Sequence, residues 1–399
     1  MDQSELENLK VYGETLVGWD EKTVPNETVD EHGNFTSSSG FAIHDPSAPP
    51  RRVYDAPDVV ALRSKLKDHN GIDGLDICDP DETVRIARIF RRDGFVVVRD
   101  ILNSEQLARF REGSARVLKD ILSIPGIDGR KYITESGRLP HRYSYGTASS
   151  SRHMLHDQVW ASMIDLPTIT PILIEMFGTD DYYLSGGGGD LCLPGAIEYQ
   201  HLHSDFFDRQ AHGDERLAYV RQVGLLKIAP GKSFAELDMR TQRLVMDRTP
   251  PSMTVNFLMS DLNWENGPIR QIPGTHTSMQ SPPSLEEEPN WMRWSTLVGA
   301  PAGSGVFRDH RAWHGATPNL SKEVRSMPNL EYVPAWNSGA EFMKSMPYEI
   351  WEGLTPHAQN ISRRIKEKPG VWPLGAGVMH PLAQKRKEVS GVSKSEIFT

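Results

Sequence analysis

The chain has little cysteine, no long apolar run and no excess of basic residues. Its 399 residues include two cysteines, Cys78 and Cys192, which excludes a disulfide framework and a cysteine-rich zinc or iron–sulfur site. No apolar stretch has the length needed to span a bilayer. The formal net charge is −9, whereas a nucleic-acid-binding protein needs a concentrated basic surface. We therefore expect neither a membrane nor a nucleic acid as partner.

The remaining composition is that of an ordinary globular chain with many loop residues. Hydrophobic residues make up 38% of the chain, with 33 glycines and 28 prolines, which argues against an all-helical fold. The first residues are polar and acidic and lack the apolar core of a secretory signal. We therefore expect a cytoplasmic protein, and we take it to be a monomer or a homodimer.

Helical and β-rich patterns divide the chain into four parts. Helices are predicted over 81–92 and 157–177. From 182 to 335, short β-rich runs, clearest at 221–228, 253–261 and 269–272, alternate with Gly, Pro and Asn turns. These patterns predict a mainly β fold with flanking helices and a jelly-roll core. The parts are an N-terminal extension (1–80), a supporting region (81–180), the jelly-roll core (181–335) and C-terminal helices with a tail (336–399).

One short stretch concentrates groups that bind metals. His203 and Asp205 lie two residues apart, so in a β-strand both side chains project from the same face. An imidazole and a carboxylate from one strand, joined by a second imidazole from elsewhere, form the site that suits non-haem Fe(II). His314 is the best candidate for the distant histidine. The sequence therefore predicts a metal site made by His203, Asp205 and His314.

Two other histidines compete for these positions. His201 has the same strand parity as His203, so a His201/His203 pair would suit the zinc or manganese of a cupin-like site. His310 lies four residues before His314 and could face the same way. The residues by themselves leave both alternatives open.

Several motifs in this order resemble the phytanoyl-CoA dioxygenase family. They are Asp93-Gly94-Phe95, Gln200-x-x-His203-x-Asp205, Asn266-Gly267-Pro268 with Pro273-Gly274-Thr275-His276, and Trp313-His314-Gly315 followed by Asn319 and Arg325. The resemblance covers roughly residues 85 to 335. It implies a double-stranded β-helix that uses Fe(II), 2-oxoglutarate and O2.

The resemblance also implies roles for single residues. His203, Asp205 and His314 would bind the metal. Arg325 would bind the distal carboxylate of 2-oxoglutarate, which its planar guanidinium can hold by two hydrogen bonds. Three further residues are candidates for the co-substrate site: Gln200, Thr317 and Ser321.

The implied activity is hydroxylation of an unactivated C–H bond in a small molecule, such as a secondary metabolite, with release of succinate and CO2. The alternative is a cupin-like metal-binding protein or isomerase without oxygen chemistry. That alternative predicts a His201/His203 ligand set and gives no role to Arg325.

Overall fold

The computed structural model describes residues 52–67, 75–122, 141–145, 154–206, 212–284, 286–291, 294–337, 342 and 344–370. The expected N-terminal extension and C-terminal tail lie partly outside these residues, and the four-part division of the chain stays a prediction. Within the described ranges, no helix combines the length and the apolar character needed to cross a bilayer.

Ten strands form two sheets in the described part of the chain. In chain order they are β1 (Ile77–Cys78), β2 (Phe95–Val98), β3 (Arg142–Ser144), β4 (Tyr182–Cys192), β5 (Met253–Phe257), β6 (Ile269–Gln271), β7 (Thr296–Leu297), β8 (Gly305–Asp309), β9 (His314–Ala316) and β10 (Arg325–Pro334). The large sheet has the order β1-β2-β8-β5-β10-β4-β3, and the small sheet has the order β7-β6-β9. All neighbours are antiparallel except β1 and β2, which are parallel.

Helices precede, interrupt and follow the strands. They are α1 (Pro57–Leu66), α2 (Thr83–Asp93), α3 (Ser104–Leu122), α4 (Gln158–Ala161), α5 (Thr170–Phe177), α6 (Gly213–Gln222), α7 (Met239–Arg248), α8 (Glu288–Trp291), α9 (Tyr348–Glu352) and α10 (Pro356–Ser362). Single 3₁₀ turns lie at Phe234–Glu236, Thr275–Thr277 and Ala335–Asn337.

The turn from α2 into β2 shows how local sequence leads a helix directly into a strand of the large sheet. Ile86 and Phe90 on the apolar stripe of α2 are buried, and the helix ends at Gly94 with φ of 83°, a conformation that glycine adopts without strain. A Cβ on Gly94 would lie 2.7 Å from Nδ1 of His276. The chain therefore turns directly into β2, all four residues of which are buried.

The two sheets face each other across an apolar core. Ile269 of the small sheet packs in one cluster with Val306 and Met327 of the large sheet. The opposite face of the large sheet packs against helices. Phe307 of β8 belongs to the same apolar cluster as Phe90 of α2. The arrangement is a jelly roll braced by helices on one side, so the predicted fold class is confirmed.

Two element predictions were wrong in detail. The run 221–228 is not a strand, because α6 continues to Gln222 and Gly224 then turns the chain with φ of 73°. Its apolar residues Leu225 and Leu226 pack on α6 instead. The helix predicted over 157–177 is divided into α4 and α5. The first error arises because a short apolar run fits more than one period. The second arises because Pro167 lies inside the predicted helix and interrupts it.

Candidate metal centre

Three of the predicted site residues converge at one end of the jelly roll. One potential ligand atom from each of His203, Asp205 and His314 lies within 4.8 Å of the other two. Nε2 of His203 lies 3.7 Å from Oδ1 of Asp205, and Nε2 of His314 lies 3.7 Å from Oδ2. The two imidazole centroids are 4.2 Å apart. These distances leave room for one metal ion between the three side chains.

Backbone pairing brings the two distant histidines together. The N–H groups of His203 and His314 each donate to the other residue's carbonyl at 3.0 Å, so the segment that carries His203 lies beside β9 as a fourth partner of the small sheet. Residues opposite each other in such a pair project from the same face. The close approach requires Gly315, where a Cβ would lie 2.5 Å from the carbonyl oxygen of Gln200.

A buried ion pair fixes the same segment from the outer side. Arg270 and Glu288 are fully buried and paired with each other. Arg270 also donates to the carbonyl of Gln200, and Glu288 accepts from the N–H of Leu202 at 2.9 Å. The charges therefore hold the main chain immediately before His203.

The other ring nitrogen of each histidine faces a carbonyl. Nδ1 of His203 lies 3.1 Å from the carbonyl oxygen of His201, and Nδ1 of His314 lies 3.1 Å from that of Ala312. A carbonyl accepts, so a proton on Nδ1 leaves the lone pair of Nε2 directed toward Asp205. This is the tautomer that a metal ligand needs.

Burial and neighbouring charges set the protonation states of the cluster. Burial lowers the pKa of His203, and burial with the nearby Arg308 and His203 lowers the pKa of His314 well below its ordinary value. Burial would raise the pKa of Asp205, but Arg308 and the histidines outweigh it and hold this pKa well below its usual range. The site thus presents two neutral imidazoles and one carboxylate.

The competing histidines lie outside this cluster. Both ring nitrogens of His310 are bonded to hydroxyls, Nδ1 to Ser252 at 2.7 Å and Nε2 to Thr254, as expected for a structural core histidine. The ring of His201 lies 5.8 Å from that of His203, and His201 is not among the three converging residues. The geometry therefore favours the set of His203, Asp205 and His314.

Arg325 is a buried cation with hydrogen-bond donors that no described residue satisfies. It begins β10 opposite Cys192 of β4 and is 2% exposed. Its Nε and Nη1 have no hydrogen-bond partner among the described residues, and burial lowers its pKa. Unsatisfied buried donors are rare in folded proteins because they cost free energy. A carboxylate is the kind of charged acceptor that would satisfy such donors.

The other candidates for the co-substrate site are engaged elsewhere. Thr317 donates its hydroxyl proton to the carbonyl of Pro268, and Ser321 bonds to Asn319 in the turn that follows β9. Gln200 is held through its main chain by Ala316 and Arg270, and a role for its side chain stays a prediction. In this structure both hydroxyls donate to other groups of the chain, and their role at the co-substrate stays a prediction.

Sequence reasoning missed one residue of the site, Arg308. It lies in β8, where all five residues are buried, and its Nη1 donates to Oδ2 of Asp205 at 2.8 Å. The available signal was a charged residue directly after the apolar pair Val306-Phe307, since a charge inside a buried strand needs a partner. The identity of that partner depends on the fold.

The chain matches a known protein family over more than half of its length. The family model of phytanoyl-CoA dioxygenase (PhyH) matches residues 90–327. The chain belongs to the phytanoyl-CoA dioxygenase family. This family uses Fe(II), 2-oxoglutarate and O2, so the protein is a 2-oxoglutarate-dependent non-haem iron dioxygenase.

Two individual relatives, both dioxygenases, have low sequence identity to this chain. Dioxygenase cdmA of Talaromyces verruculosus is 23% identical over 328 residues, which cover 78% of this chain and 92% of the relative. Dioxygenase cdmD of the same organism is 22% identical over 304 residues, which cover 71% and 86%.

Two solved structures are similar to this chain with low TM-scores. The α-ketoglutarate-dependent epimerase SnoN from nogalamycin biosynthesis has a TM-score of 0.42 and 19% identity, covering 64% of this chain and 82% of its own. HygX from Streptomyces hygroscopicus, solved with nickel, 2-oxoglutarate and hygromycin B, has a TM-score of 0.42 and 15% identity, covering 63% and 87%.

Proposed function

We propose that this dioxygenase hydroxylates an unactivated C–H bond of a small-molecule substrate and releases succinate and CO2. The observation that carries the proposal is the convergence of His203, Asp205 and His314 in one jelly roll with a buried arginine, Arg325, whose Nε and Nη1 have no partner among the described residues. Two neutral imidazoles and one carboxylate match the ligand preference of non-haem Fe(II).

Each residue has a task that follows from its surroundings. His203, Asp205 and His314 would hold the metal, and three protein ligands leave coordination positions for the co-substrate and O2. Arg325 would bind the distal carboxylate of 2-oxoglutarate through two parallel hydrogen bonds. When bound, Fe(II) supplies the activation of O2 that couples decarboxylation of 2-oxoglutarate to oxidation of the substrate. The jelly roll holds the target carbon close to the metal and excludes bulk water.

Succinate formation tests the proposal without knowledge of the substrate. Purified protein is incubated in air with Fe(II), ascorbate and 2-oxoglutarate, and succinate is measured for the wild type, Asp205→Ala and Arg325→Ala. Slow succinate release is expected from the wild type and none above background from Asp205→Ala. Arg325→Ala should require a much higher concentration of 2-oxoglutarate, because the distal carboxylate loses its cation.

Two matched variants control for folding. Asp238→Ala removes an exposed carboxylate that caps α7, and Arg216→Gln removes a buried arginine that bonds to Thr249 away from the metal cluster. Both should retain succinate formation in the folded fraction. A wild type that never consumes 2-oxoglutarate but binds zinc tightly through His201 and His203 would establish the cupin-like alternative instead.

Hydroxylation as the outcome, a cytoplasmic location and a monomeric or homodimeric state remain predictions. Mass spectrometry of products formed from a metabolite extract would detect the gain of one oxygen that hydroxylation requires. Size-exclusion chromatography and cell fractionation would test the other two.

A further inference from the structure

Arg308 of β8 is a buried arginine in direct contact with the metal cluster. Its side chain is 8% exposed, and Nη1 donates to Oδ2 of Asp205 at 2.8 Å. Its Nε has no hydrogen-bond partner within the described ranges. The metal ligands of the proposed function are thus accompanied by a cation in direct contact with one of them.

The two oxygens of Asp205 are in different situations. Oδ1 faces Nε2 of His203 at 3.7 Å, and Oδ2 faces Nε2 of His314 at 3.7 Å. Both oxygens therefore border the space between the imidazoles, and both could bind one metal ion. Only Oδ2 carries the hydrogen bond from Arg308. That bond makes Oδ2 a poorer electron donor than Oδ1 and places a positive charge beside it.

The same nitrogen of Arg308 also approaches His314. Nη1 lies 3.2 Å from Nδ1 of His314, which in turn lies 3.1 Å from the carbonyl oxygen of Ala312. Nδ1 cannot accept from Arg308 and donate to Ala312 at once. The tautomer that frees Nε2 for a metal carries its proton on Nδ1, so in that state Arg308 has Asp205 as its only partner in the cluster.

We propose that Arg308 is a positioning residue that occupies Oδ2 of Asp205, so that the carboxylate gives the metal one oxygen and leaves room for the 2-oxoglutarate chelate. This inference rests on the proposed function. Without Arg308, Asp205 would bind the metal through both oxygens and fill a position that the co-substrate needs.

The proposal predicts opposite effects on two binding steps. Loss of Arg308 removes a cation next to a divalent metal and frees a second carboxylate oxygen, so affinity for the metal alone should hold or rise. Affinity for the dianionic co-substrate should fall by about 10-fold or more, within the range of about 10–100-fold seen when residues around metal ligands are changed. A residue that merely supported the fold of Asp205 would weaken metal binding.

The experiment measures both steps without turnover. Metal-free wild type, Arg308→Gln and Arg308→Lys are titrated with Co(II), which reports binding by its visible absorption. The Fe(II)-loaded proteins are then titrated anaerobically with 2-oxoglutarate, which is followed by the charge-transfer band of the iron–keto-acid chelate. Arg216→Gln is the matched control for loss of a buried arginine, and thermal melts show which variants are folded.

Each outcome decides one point. Metal affinity that is unchanged or higher, with 2-oxoglutarate affinity reduced in Arg308→Gln and partly restored in Arg308→Lys, supports the role of Arg308. Weaker metal binding, or unchanged 2-oxoglutarate affinity, overturns it. Absence of the charge-transfer band in the wild type is a separate result that defeats the proposed function. If Arg308→Gln does not fold, the same two titrations on Arg308→Lys decide the question, because lysine keeps the charge but cannot hold the carboxylate with a planar fork.

Discussion

The two faces of the small sheet use buried polar groups in opposite ways. On the outer face, Arg270 and Glu288 are fully buried and bonded to each other. On the inner face, Nε2 of His314 and the carboxylate of Asp205 lie 3.7 Å apart, too far for a hydrogen bond. Strand alternation separates the two sets, since Arg270 lies opposite Gly315 and the next residue, Gln271, lies opposite His314. The outer face serves stability. The inner face keeps Nε2 of both histidines and Oδ1 of Asp205 available for a metal.

The largest expected effect on the free energy of unfolding comes from breaking the ion pair on the outer face. Glu288→Gln leaves Arg270 as a buried charge without its carboxylate, which should lower the free energy of unfolding by about 3–5 kcal/mol. Urea denaturation of the metal-free protein measures this loss. The control is Glu286→Gln, an exposed neighbour, for which a change within about 0.5 kcal/mol is expected. Equal stability of the two variants would refute the structural role assigned to the outer face.

A smaller effect is expected from filling the space at Gly315. In Gly315→Ala the new methyl carbon would meet the carbonyl oxygen of Gln200 at 2.5 Å and Nε of Arg270 at 2.9 Å, which should cost about 1–3 kcal/mol as overpacking does. The shift should also separate His203 from His314, so Co(II) affinity should fall together with stability. Gly353→Ala is the control, because a Cβ there meets its nearest atom at 3.7 Å. Retention of wild-type metal affinity in Gly315→Ala would show that the close strand approach is not required.

The two histidines of the inner face should make the free energy of unfolding of the metal-free protein depend on pH. Burial lowers the pKa of His203 and His314 in the folded state, so below about pH 6.5 the unfolded chain binds protons that the folded chain does not. The free energy of unfolding should therefore fall as pH decreases from that point, by at most about 1.4 kcal/mol per pH unit for each histidine. Urea denaturation between pH 7.5 and about pH 5 measures the slope. The double variant His203→Gln/His314→Gln should flatten it, and an unchanged slope would count against neutral imidazoles at the site.

The smallest effect is expected from the hydroxyl that the family resemblance placed at the co-substrate. Ser321 bonds to Asn319 within a turn, so Ser321→Ala should change stability by about 1 kcal/mol or less and leave 2-oxoglutarate affinity unaltered. Arg325→Ala, titrated in parallel by the iron–keto-acid absorption, should lose that affinity. A loss in Ser321→Ala of similar size would return this hydroxyl to the co-substrate site.

Local patterns were enough to predict features that depend on neighbouring residues. Asn103 and Gln106 have the three-residue spacing of a capping box, and they form one at the start of α3 with hydrogen bonds of 3.0 and 2.9 Å. The spacing of His203 and Asp205 was sufficient to place them together, because the two-residue period of an extended chain is a local property. The strand predicted over 221–228 was wrong, because a short apolar segment does not show whether it belongs to a strand or to the end of a helix.

What the sequence by itself determined is the fold class, the family and the identity of the converging residues, because each is written in composition, in short-range spacing or in the order of motifs. Tertiary structure alone decided which distant groups meet. It paired His203 with His314, satisfied His310 with two hydroxyls, and left Arg325 with donors that have no partner among the described residues. It also brought Arg308 to Asp205, a contact between residues 103 positions apart. Such contacts depend on how two sheets close on each other, which no local period encodes.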